Sequence, residues 1–205
     1  MANRFHRQDL PDLSNYHVEA VAIDTETLGL NPHRDRLCVV QLSPGDGTAD
    51  LVQIAPGQRE APNLTALLAN PAVTKIFHYA RFDVAVLFNI FGVMPEPLFC
   101  TKIASRLTRT YTDRHGLKDI TSELLGVNLS KQQQSSDWGA DALTPEQLEY
   151  AASDVLYLHR LREVLTFRLA REDRTAIADA CFRFLPARAK LDLAGWGEED
   201  IFAHS

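Results

Sequence analysis

Short hydrophobic runs separated by turn-forming residues dominate the first half of the chain. Val21-Ala22-Ile23 leads into Asp-Thr-Glu without alternation of apolar and polar residues. Such a run is typical of a strand covered on both faces and therefore central in its sheet. Two further β-rich runs, residues 37–42 and 49–54, flank a turn signal at residues 44–47. Because residues 27–36 contain Gly and Pro and lack a helical period, we expect these three strands to form an antiparallel meander.

Helical and strand patterns alternate after residue 60. The apolar spacing predicts a short helix at residues 64–68 and a second helix at residues 84–91 that ends at Gly92. Residues 73–78 and 97–100 are typical of strands. This alternation indicates that parallel strands follow the meander.

Most of the remaining chain has a helical pattern. One long helix is predicted from Thr144 to about Ala170, with Thr144 as the cap and Pro145 in the first turn. Together the elements predict an α/β fold. Its mixed five-stranded sheet contains an antiparallel meander of strands 1–3 and then parallel strands, is flanked by helices, and is followed by a helical C-terminal part.

Length and composition indicate one globular domain over residues 1–205, since 45% of the residues are hydrophobic and 23% are charged. No stretch reaches the roughly 18 consecutive apolar residues that a membrane span needs, and the first residues lack the apolar core of a secretory signal. A cytoplasmic location is therefore expected. The three separated cysteines, Cys38, Cys100 and Cys181, predict reduced thiols rather than a zinc site or a disulfide framework.

Two acids stand at the end of the predicted first strand. Asp24 and Glu26 are two residues apart, so their side chains leave the strand from the same face and can converge on one metal ion. The alternative is the polar face of an edge strand. The unbroken apolar run before Asp24 favours a central strand, whose end opens into the crevice where α/β sheets bind ligands.

Other candidate residues are ambiguous when each is taken alone. Tyr150 and Asp154 are four residues apart on a predicted helix and share a face, yet such a Tyr is often core and such an Asp often solvated. Asp83 lies in the first turn of a helix, where a carboxylate also favours the helix dipole. His78, at the end of a strand, is more typical of a hydrogen-bonded structural residue than of a catalyst.

The four acids are more informative as a set, because carboxylate oxygens are the ligands that Mg²⁺ and Mn²⁺ prefer. Two ionised carboxylates about 5 Å apart repel each other by on the order of 3 kcal/mol at an effective dielectric of 20. Bound cations would make such a cluster tolerable. Two of them can activate a water, hold a scissile phosphate and stabilise the leaving oxygen.

Three ordered motifs carry a family resemblance: Asp24-Thr25-Glu26-Thr27, His78-Tyr79-Ala80-Arg81-Phe82-Asp83 and Tyr150-Ala151-Ala152-Ser153-Asp154. They resemble the motifs of the ribonuclease D family, in the class of 3′–5′ exonucleases whose last motif is Tyr-x-x-x-Asp. The resemblance covers about residues 18–165. Its other matching residues are Val40-Gln41-Leu42, Gly116-Leu117-Lys118, Lys131 and Asp137-Trp138.

The resemblance implies a ribonuclease H-like fold and a site for two divalent ions, Mg²⁺ or Mn²⁺. Asp24 would bridge both ions, and Glu26 and Asp154 would hold the ion that carries the attacking water. Asp83 would act on the second ion, and Tyr150 would orient the water through its hydroxyl.

The resemblance also implies substrate contacts at Thr27, Leu28 and Trp138. Thr27 would offer hydrogen-bonding groups and Leu28 an apolar wedge against the terminal base. Relatives commonly carry an Arg-Pro-Leu segment after the Trp, whereas residues 139–143 lack the Arg and with it one candidate phosphate contact. The helical substrate-binding domains of ribonuclease D are expected to be absent from this chain.

The charge balance limits how a nucleic acid would be held. A net charge of −6 argues against a broadly basic binding surface, but an enzyme that grips only the last nucleotides needs a local patch and bound cations. The densest basic stretch is equally consistent with a solvated loop and with a track of phosphate contacts. It contains Arg106, Arg109, Arg114, His115 and Lys118.

The leading hypothesis is a 3′–5′ exoribonuclease that releases nucleoside 5′-monophosphates from the 3′ ends of single-stranded RNA. A DNA exonuclease of the same class is the first alternative, because the metal chemistry does not select the sugar. The second is a catalytically inactive nucleic-acid-binding module, which the presence of all four acids and the Tyr disfavours.

Overall fold

The structure, a computed structural model, describes residues 3–130, 132–133 and 135–204. Lys131, one of the residues that carried the resemblance, lies outside the described residues. Among those that are described, no helix combines the length and the apolar character that crossing a bilayer requires.

One mixed sheet runs through the molecule, with the strand order β1-β4-β3-β2-β5-β6. Strands β2, β3 and β4 form the expected antiparallel meander, and β5 and β6 continue the sheet in parallel with β2. The strands are β1 (Asn3–Arg7), β2 (Ala20–Thr27), β3 (Leu37–Ser43), β4 (Ala49–Gln53), β5 (Thr74–Phe77) and β6 (Leu98–Cys100). The predicted class of sheet is confirmed, but within the described ranges it has six strands instead of five.

The additional strand is β1, which pairs in parallel with β4 at the edge of the sheet. Its sequence, NRFHR, has no apolar run. The buried carboxylate of Asp50 on β4 holds it, because Arg4 Nε and His6 Nε2 each lie 2.7 Å from Asp50 Oδ1. The Tyr16 hydroxyl also donates to Asp50, at 2.6 Å. Polar contacts between distant residues therefore form this strand, and no local hydrophobic pattern marks it.

Helices cover both faces of the sheet. They are α1 (Pro62–Ala69), α2 (Ala80–Phe91), α3 (Thr101–Thr108), α4 (Leu117–Leu125), α5 (Pro145–Leu156), α6 (Leu158–Arg171) and α7 (Thr175–Leu191). A 3₁₀ turn at Ser14–Tyr16 and a π-helical segment at Asp192–Trp196 complete the elements. As predicted, α2 ends at Gly92, whose φ of 69° is a conformation that glycine adopts without strain.

The long helix expected from Thr144 to about Ala170 is two helices. It begins as predicted, since Thr144 and Gln147 form a reciprocal capping box and Pro145 occupies the first turn. It breaks at Tyr157, where α5 ends and α6 begins. There is no Gly or Pro at the break, so the local sequence does not mark it. Tertiary packing decides it, because α5 covers β2, β3 and β4 whereas α6 packs on α3.

Successive side chains of β2 point to opposite faces of the sheet and therefore lie near different helices. Thr25 contacts Asp83 of α2, while Asp24 and Glu26 point the other way, towards Asp154 of α5. This alternation is the two-residue period of a strand. The end of β2 therefore carries acids on the face that α5 covers and contacts a further acid on the opposite face.

Candidate active site

A cluster of three carboxylates lies where β2 ends beneath α5. One oxygen from each of Asp24, Glu26 and Asp154 can be chosen so that all three lie within 4.8 Å of one another. The two β2 acids share a face because they are two residues apart, and the packing of α5 on β2 brings Asp154 over that face. Together these carboxylates offer several hard oxygen ligands to one cation.

Asp83 lies beside this trio and has its own partner. The hydroxyl of Thr25 donates a hydrogen bond of 2.7 Å to Asp83 Oδ1, and the carboxylate is only 3% exposed. Its charge still influences the trio, because it contributes to raising the pKa of both Asp24 and Glu26. The fourth acid of the motifs is thus adjacent to the cluster but reaches it from the other side of β2.

The electrostatics of the cluster favour a bound cation. Burial, and then repulsion from Asp83, Asp154 and Glu26, raises the pKa of Asp24 well above its usual range. Burial and repulsion from Asp154 raise the pKa of Glu26 to about 9. Burial also raises the pKa values of Asp83 and Asp154 to about 7. Without cations the cluster would hold protons at neutral pH, and divalent ions would replace them.

Tyr150 lies one turn before Asp154 on α5 and lines the same crevice. Burial, followed by the negative charges of Asp154 and Glu26, raises the pKa of its phenol far above the usual value. The hydroxyl therefore remains protonated at neutral pH and is available as a hydrogen-bond donor. The same hydroxyl lowers the pKa of Asp154, which partly offsets the effect of burial.

Trp138 is almost completely buried, with 2% of its surface exposed, and its ring centroid lies 6.0 Å from that of Tyr150. It has almost no free surface for direct contact with a nucleotide. Its position against Tyr150 allows it to influence the site by fixing the Tyr150 ring, and the expected substrate contact at Trp138 stays a prediction.

Thr27 and Leu28 follow the β2 acids directly. Thr27 Oγ1 donates to the carbonyl oxygen of Gly29 at 2.5 Å, so this hydroxyl is already engaged within the loop. Leu28 is 53% exposed. This exposed apolar side chain lies two residues after Glu26, and its expected contact with a base stays a prediction.

The basic stretch between Arg106 and Lys118 is largely engaged within the protein. Arg109 is 1% exposed, and its guanidinium donates to the carboxylate of Glu123. Arg114 pairs with Asp119 at 2.6 Å. Of the five basic residues named in this stretch, all of which the structure describes, Lys118 alone lines the carboxylate crevice. These contacts therefore disfavour a continuous series of phosphate-binding residues along the whole stretch.

Lys102 was not singled out by sequence reasoning, yet it lines the crevice together with Lys118. Its signal in the sequence is its position two residues after the last strand, which ends at Cys100, because ligands of α/β sheets bind beyond the carboxyl ends of the strands. Its ammonium group lies 4.3 Å from the centroid of the Tyr79 ring. The crevice, about 310 Å³ in volume, thus combines acids with two lysines.

His78 has the structural role expected from its position. Its Nδ1 lies 2.9 Å from Thr101 Oγ1, and burial lowers the pKa of the imidazole to about 3. The ring is therefore neutral at physiological pH. Cys38, Cys100 and Cys181 form no disulfide with one another in the structure, and their reduced state stays a prediction.

Comparison with known proteins agrees with this geometry. A family model described as 3′-5′ exonuclease matches residues 8–170. Ribonuclease D of Acidiphilium cryptum is 40% identical over 154 residues, which cover 75% of this chain and 39% of that protein. Ribonuclease D of Granulibacter bethesdensis is 38% identical over 156 residues, again over 39% of its length. The chain therefore spans about two fifths of the length of these curated relatives.

Among the solved structures that resemble this chain, those of NrnC match its whole length. Brucella melitensis NrnC with bound Mg²⁺ is 69% identical, with a TM-score of 0.97 and complete coverage of both chains. NrnC bound to pGG is 70% identical, with a TM-score of 0.98 and the same coverage. Escherichia coli RNase D is 29% identical, with a TM-score of 0.77 over 86% of this chain and 46% of its own.

These matches confirm the resemblance and the ribonuclease H-like fold that it implied. The chain belongs to the family of 3′–5′ exonucleases that includes ribonuclease D and its relatives.

Proposed function

We propose that this protein is a metal-dependent 3′–5′ exoribonuclease, which hydrolyses the terminal phosphodiester bond of single-stranded RNA and releases nucleoside 5′-monophosphates. One observation carries the proposal. The carboxylates of Asp24, Glu26 and Asp154 converge within 4.8 Å in a crevice that also contains Tyr150. Membership in the exonuclease family supports the reaction type and direction.

The donor set fits two divalent cations, Mg²⁺ or Mn²⁺, because hard oxygen ligands surround a small space and their mutual repulsion needs compensation. Asp24, Glu26 and Asp154 would hold one ion, and Asp24 with Asp83 would serve the other. When bound, the ions would lower the pKa of the attacking water and stabilise the negative charge on the leaving oxygen. A structure of NrnC, to which this chain is similar, contains bound Mg²⁺, which supports a divalent cation at this site.

Tyr150 acts in this proposal by positioning. Because the raised pKa keeps its phenol protonated, the hydroxyl donates a hydrogen bond and does not accept the proton of the attacking water. Its place on α5, one turn before Asp154, directs the donor into the carboxylate crevice. Trp138 contributes through its packing on the Tyr150 ring.

The two lysines of the crevice provide local positive charge in a chain whose net charge is negative. Lys102 and Lys118 line the same space as the acids, so an RNA phosphate meets positive charge locally even though the whole chain carries −6. Local attraction of this kind is sufficient for a substrate held only at its end. We expect weak, salt-sensitive binding.

Leu28 and Thr27 would contact the terminal nucleotide. The half-exposed side chain of Leu28 is available as an apolar wedge against the base, and the Thr27 hydroxyl oxygen can accept a hydrogen bond while it donates to Gly29. The NrnC structure bound to pGG supports very short RNA as one class of substrate. We therefore include a 5′-phosphorylated dinucleotide among the substrates to be tested.

The decisive experiment combines purified protein and Mn²⁺ or Mg²⁺ with 5′-labelled single-stranded RNA, DNA of equal sequence, and pGG. We expect an RNA ladder that shortens one nucleotide at a time and nucleoside 5′-monophosphate as the product in mass spectrometry. RNA with a 3′-phosphate should decay much more slowly. Duplex RNA should also be slower, because opening each terminal pair costs stacking energy on the order of 1 to 2 kcal/mol.

Each alternative has its own signature in this assay. Equal rates on RNA and DNA would retain the mechanism and remove the preference for ribose. Binding of RNA without hydrolysis in the presence of metal would favour the inactive module. Circular RNA cut as fast as linear RNA would exclude an exonuclease.

A further inference from the structure

Gln41 is a fully buried polar residue in the middle of the sheet. It lies on β3, has 0% exposure, and has apolar neighbours along the strand, Val40 and Leu42, that are buried too. Neither its side-chain oxygen nor its side-chain nitrogen has a hydrogen-bond partner among the described residues. Buried amide groups are normally paired, so this one needs a physical explanation.

The register of the sheet places Gln41 directly beside the acidic cluster. In the antiparallel pairing of β2 with β3, Gln41 is the partner of Asp24. Residues that face each other across an antiparallel pair send their side chains to the same face, with Cβ atoms about 4.5 to 5.5 Å apart. The partner on the other flank is Leu51 of β4, which offers no polar group. Asp24 is therefore the polar neighbour of the Gln41 amide within this row.

Helix α5 closes this face of the sheet. It packs on both β2 and β3. It also carries Asp154, one carboxylate oxygen of which lies within 4.8 Å of an oxygen of Asp24. The Gln41 side chain is consequently enclosed between the sheet and the helix that carries the third acid. Because this amide is enclosed, bulk solvent cannot supply the hydrogen bonds that it lacks.

Folding alone would favour an apolar residue at this position. A methionine or leucine of similar volume would fill the space without burying two unpaired polar atoms. Three other described residues have unpaired buried atoms: His78 lines the crevice, Trp138 packs on Tyr150, and Thr121 lies on α4. Three of the four residues with such atoms, Gln41, His78 and Trp138, therefore lie beside the acids or beside Tyr150.

We infer that Gln41 is a positioning residue for Asp24: its Nε2 donates to the Asp24 carboxylate in the metal-loaded enzyme and fixes the orientation in which Asp24 holds the cations. This inference rests on the proposed function. Residues that hold a metal ligand in place typically affect metal affinity or activity by about 10- to 100-fold when they are removed.

The test uses Gln41→Met, which retains the length of the side chain and removes both polar atoms. Leu42→Met is the matched control, because it introduces the same residue at a buried position whose side chain leaves the strand from the other face. Three quantities are measured for each protein. They are the melting temperature without metal, the Mn²⁺ concentration that gives half of the maximal thermal shift, and kcat and KM on single-stranded RNA.

We expect Gln41→Met to melt at or above the wild-type temperature without metal, since two unpaired polar atoms are gone. It should need at least about tenfold more Mn²⁺ for half of the thermal shift, and its kcat should fall at least about tenfold while KM changes little. The Leu42→Met control should keep the wild-type metal dependence and kcat.

Wild-type metal dependence and kcat in Gln41→Met would overturn the inference and leave Gln41 as a packing residue. Gln41→Leu provides a second apolar variant. Failure of both variants to fold would also overturn it, because the amide would then be holding the fold together. The proposed function fails separately if the wild-type protein itself shows neither a Mn²⁺-induced thermal shift nor hydrolysis of RNA.

Discussion

The side chain of Leu28 rests against Gly139: a methyl group at Gly139 would lie 2.7 Å from Cδ2 of Leu28, closer than two carbon atoms can approach. Hydrogen bonds from Arg36 and Gln53 hold this loop against the protein. Arg36 donates to the carbonyl of Gly139 at 3.1 Å, and Gln53 donates to that of Ala140 at 3.0 Å. Residues 139–143, which lack the Arg, therefore support the side chain of Leu28, the proposed contact for the terminal base.

Gly139→Ala should displace Leu28 and weaken the contact with the terminal base. We expect KM for RNA to rise about three- to tenfold, with an unchanged Mn²⁺-induced thermal shift, because the acids are untouched. Leu28→Ala provides the matched comparison in a double-mutant cycle. Adding Gly139→Ala to Leu28→Ala should cost little more than Leu28→Ala alone. Fully additive effects would show that Gly139 acts independently of Leu28.

Asp24→Asn should abolish hydrolysis, because an amide is a much weaker ligand than a carboxylate for a hard cation. Without metal, the variant should melt no lower than the wild type, since one repelling group has left the cluster. With millimolar Mn²⁺ only the wild type should gain stability markedly.

Differential scanning fluorimetry with and without Mn²⁺ measures this difference. Asp179→Asn on α7 is the control, because it makes the same chemical change at an exposed position away from the crevice. Activity of Asp24→Asn within tenfold of the wild type, or an equal metal-induced shift in both proteins, would contradict the assignment of Asp24 as a metal ligand.

Tyr150→Phe removes the hydroxyl and retains the ring that packs on Trp138. We expect turnover to fall at least about tenfold, which corresponds to one charge-assisted hydrogen bond of about 1.5 kcal/mol. The melting temperature and the metal-induced shift should stay near those of the wild type. Tyr157→Phe, at the junction of α5 and α6, is the control. A loss of stability with unchanged turnover would assign Tyr150 to the core.

The stability of the metal-free protein should fall as the pH rises from about 5 to 8. In the folded state the pKa of Glu26 is raised to about 9 and that of Asp154 to about 7, mainly by burial. The folded protein therefore holds protons that the unfolded chain has already released, and this stabilisation is fully present below about pH 4. It is lost as the pH rises through the folded-state pKa values.

Thermal melts in the presence of EDTA between pH 5 and 8 measure this effect, and we expect a decrease of at least about 4 °C, which corresponds to roughly 1 to 2 kcal/mol for a chain of this size. Glu26→Gln should flatten the dependence, because the substituted amide does not titrate. With saturating Mn²⁺ the trend should reverse, since metal binding requires ionised carboxylates. An equal slope in the wild type and Glu26→Gln would contradict the role of this cluster.

Local patterns in the sequence were sufficient for most elements of the fold. The unbroken apolar run before Asp24 identified the central strand, and the residues around Thr144 and Gly92 identified a helix start and a helix end, because these features depend on neighbouring residues alone. The order of the acidic motifs was sufficient to indicate the exonuclease family.

Only the tertiary structure decided the features that depend on distant residues. Strand β1 forms through the buried Asp50, and the helix expected after Thr144 breaks at Tyr157 where its packing partner changes. The sequence predicts a surface cation at Arg109, but this side chain is buried and donates to Glu123. Gln41 becomes the neighbour of Asp24 only through strand register. Periodicity reports which face of an element is apolar, whereas the partner that covers that face is selected by packing across the whole chain.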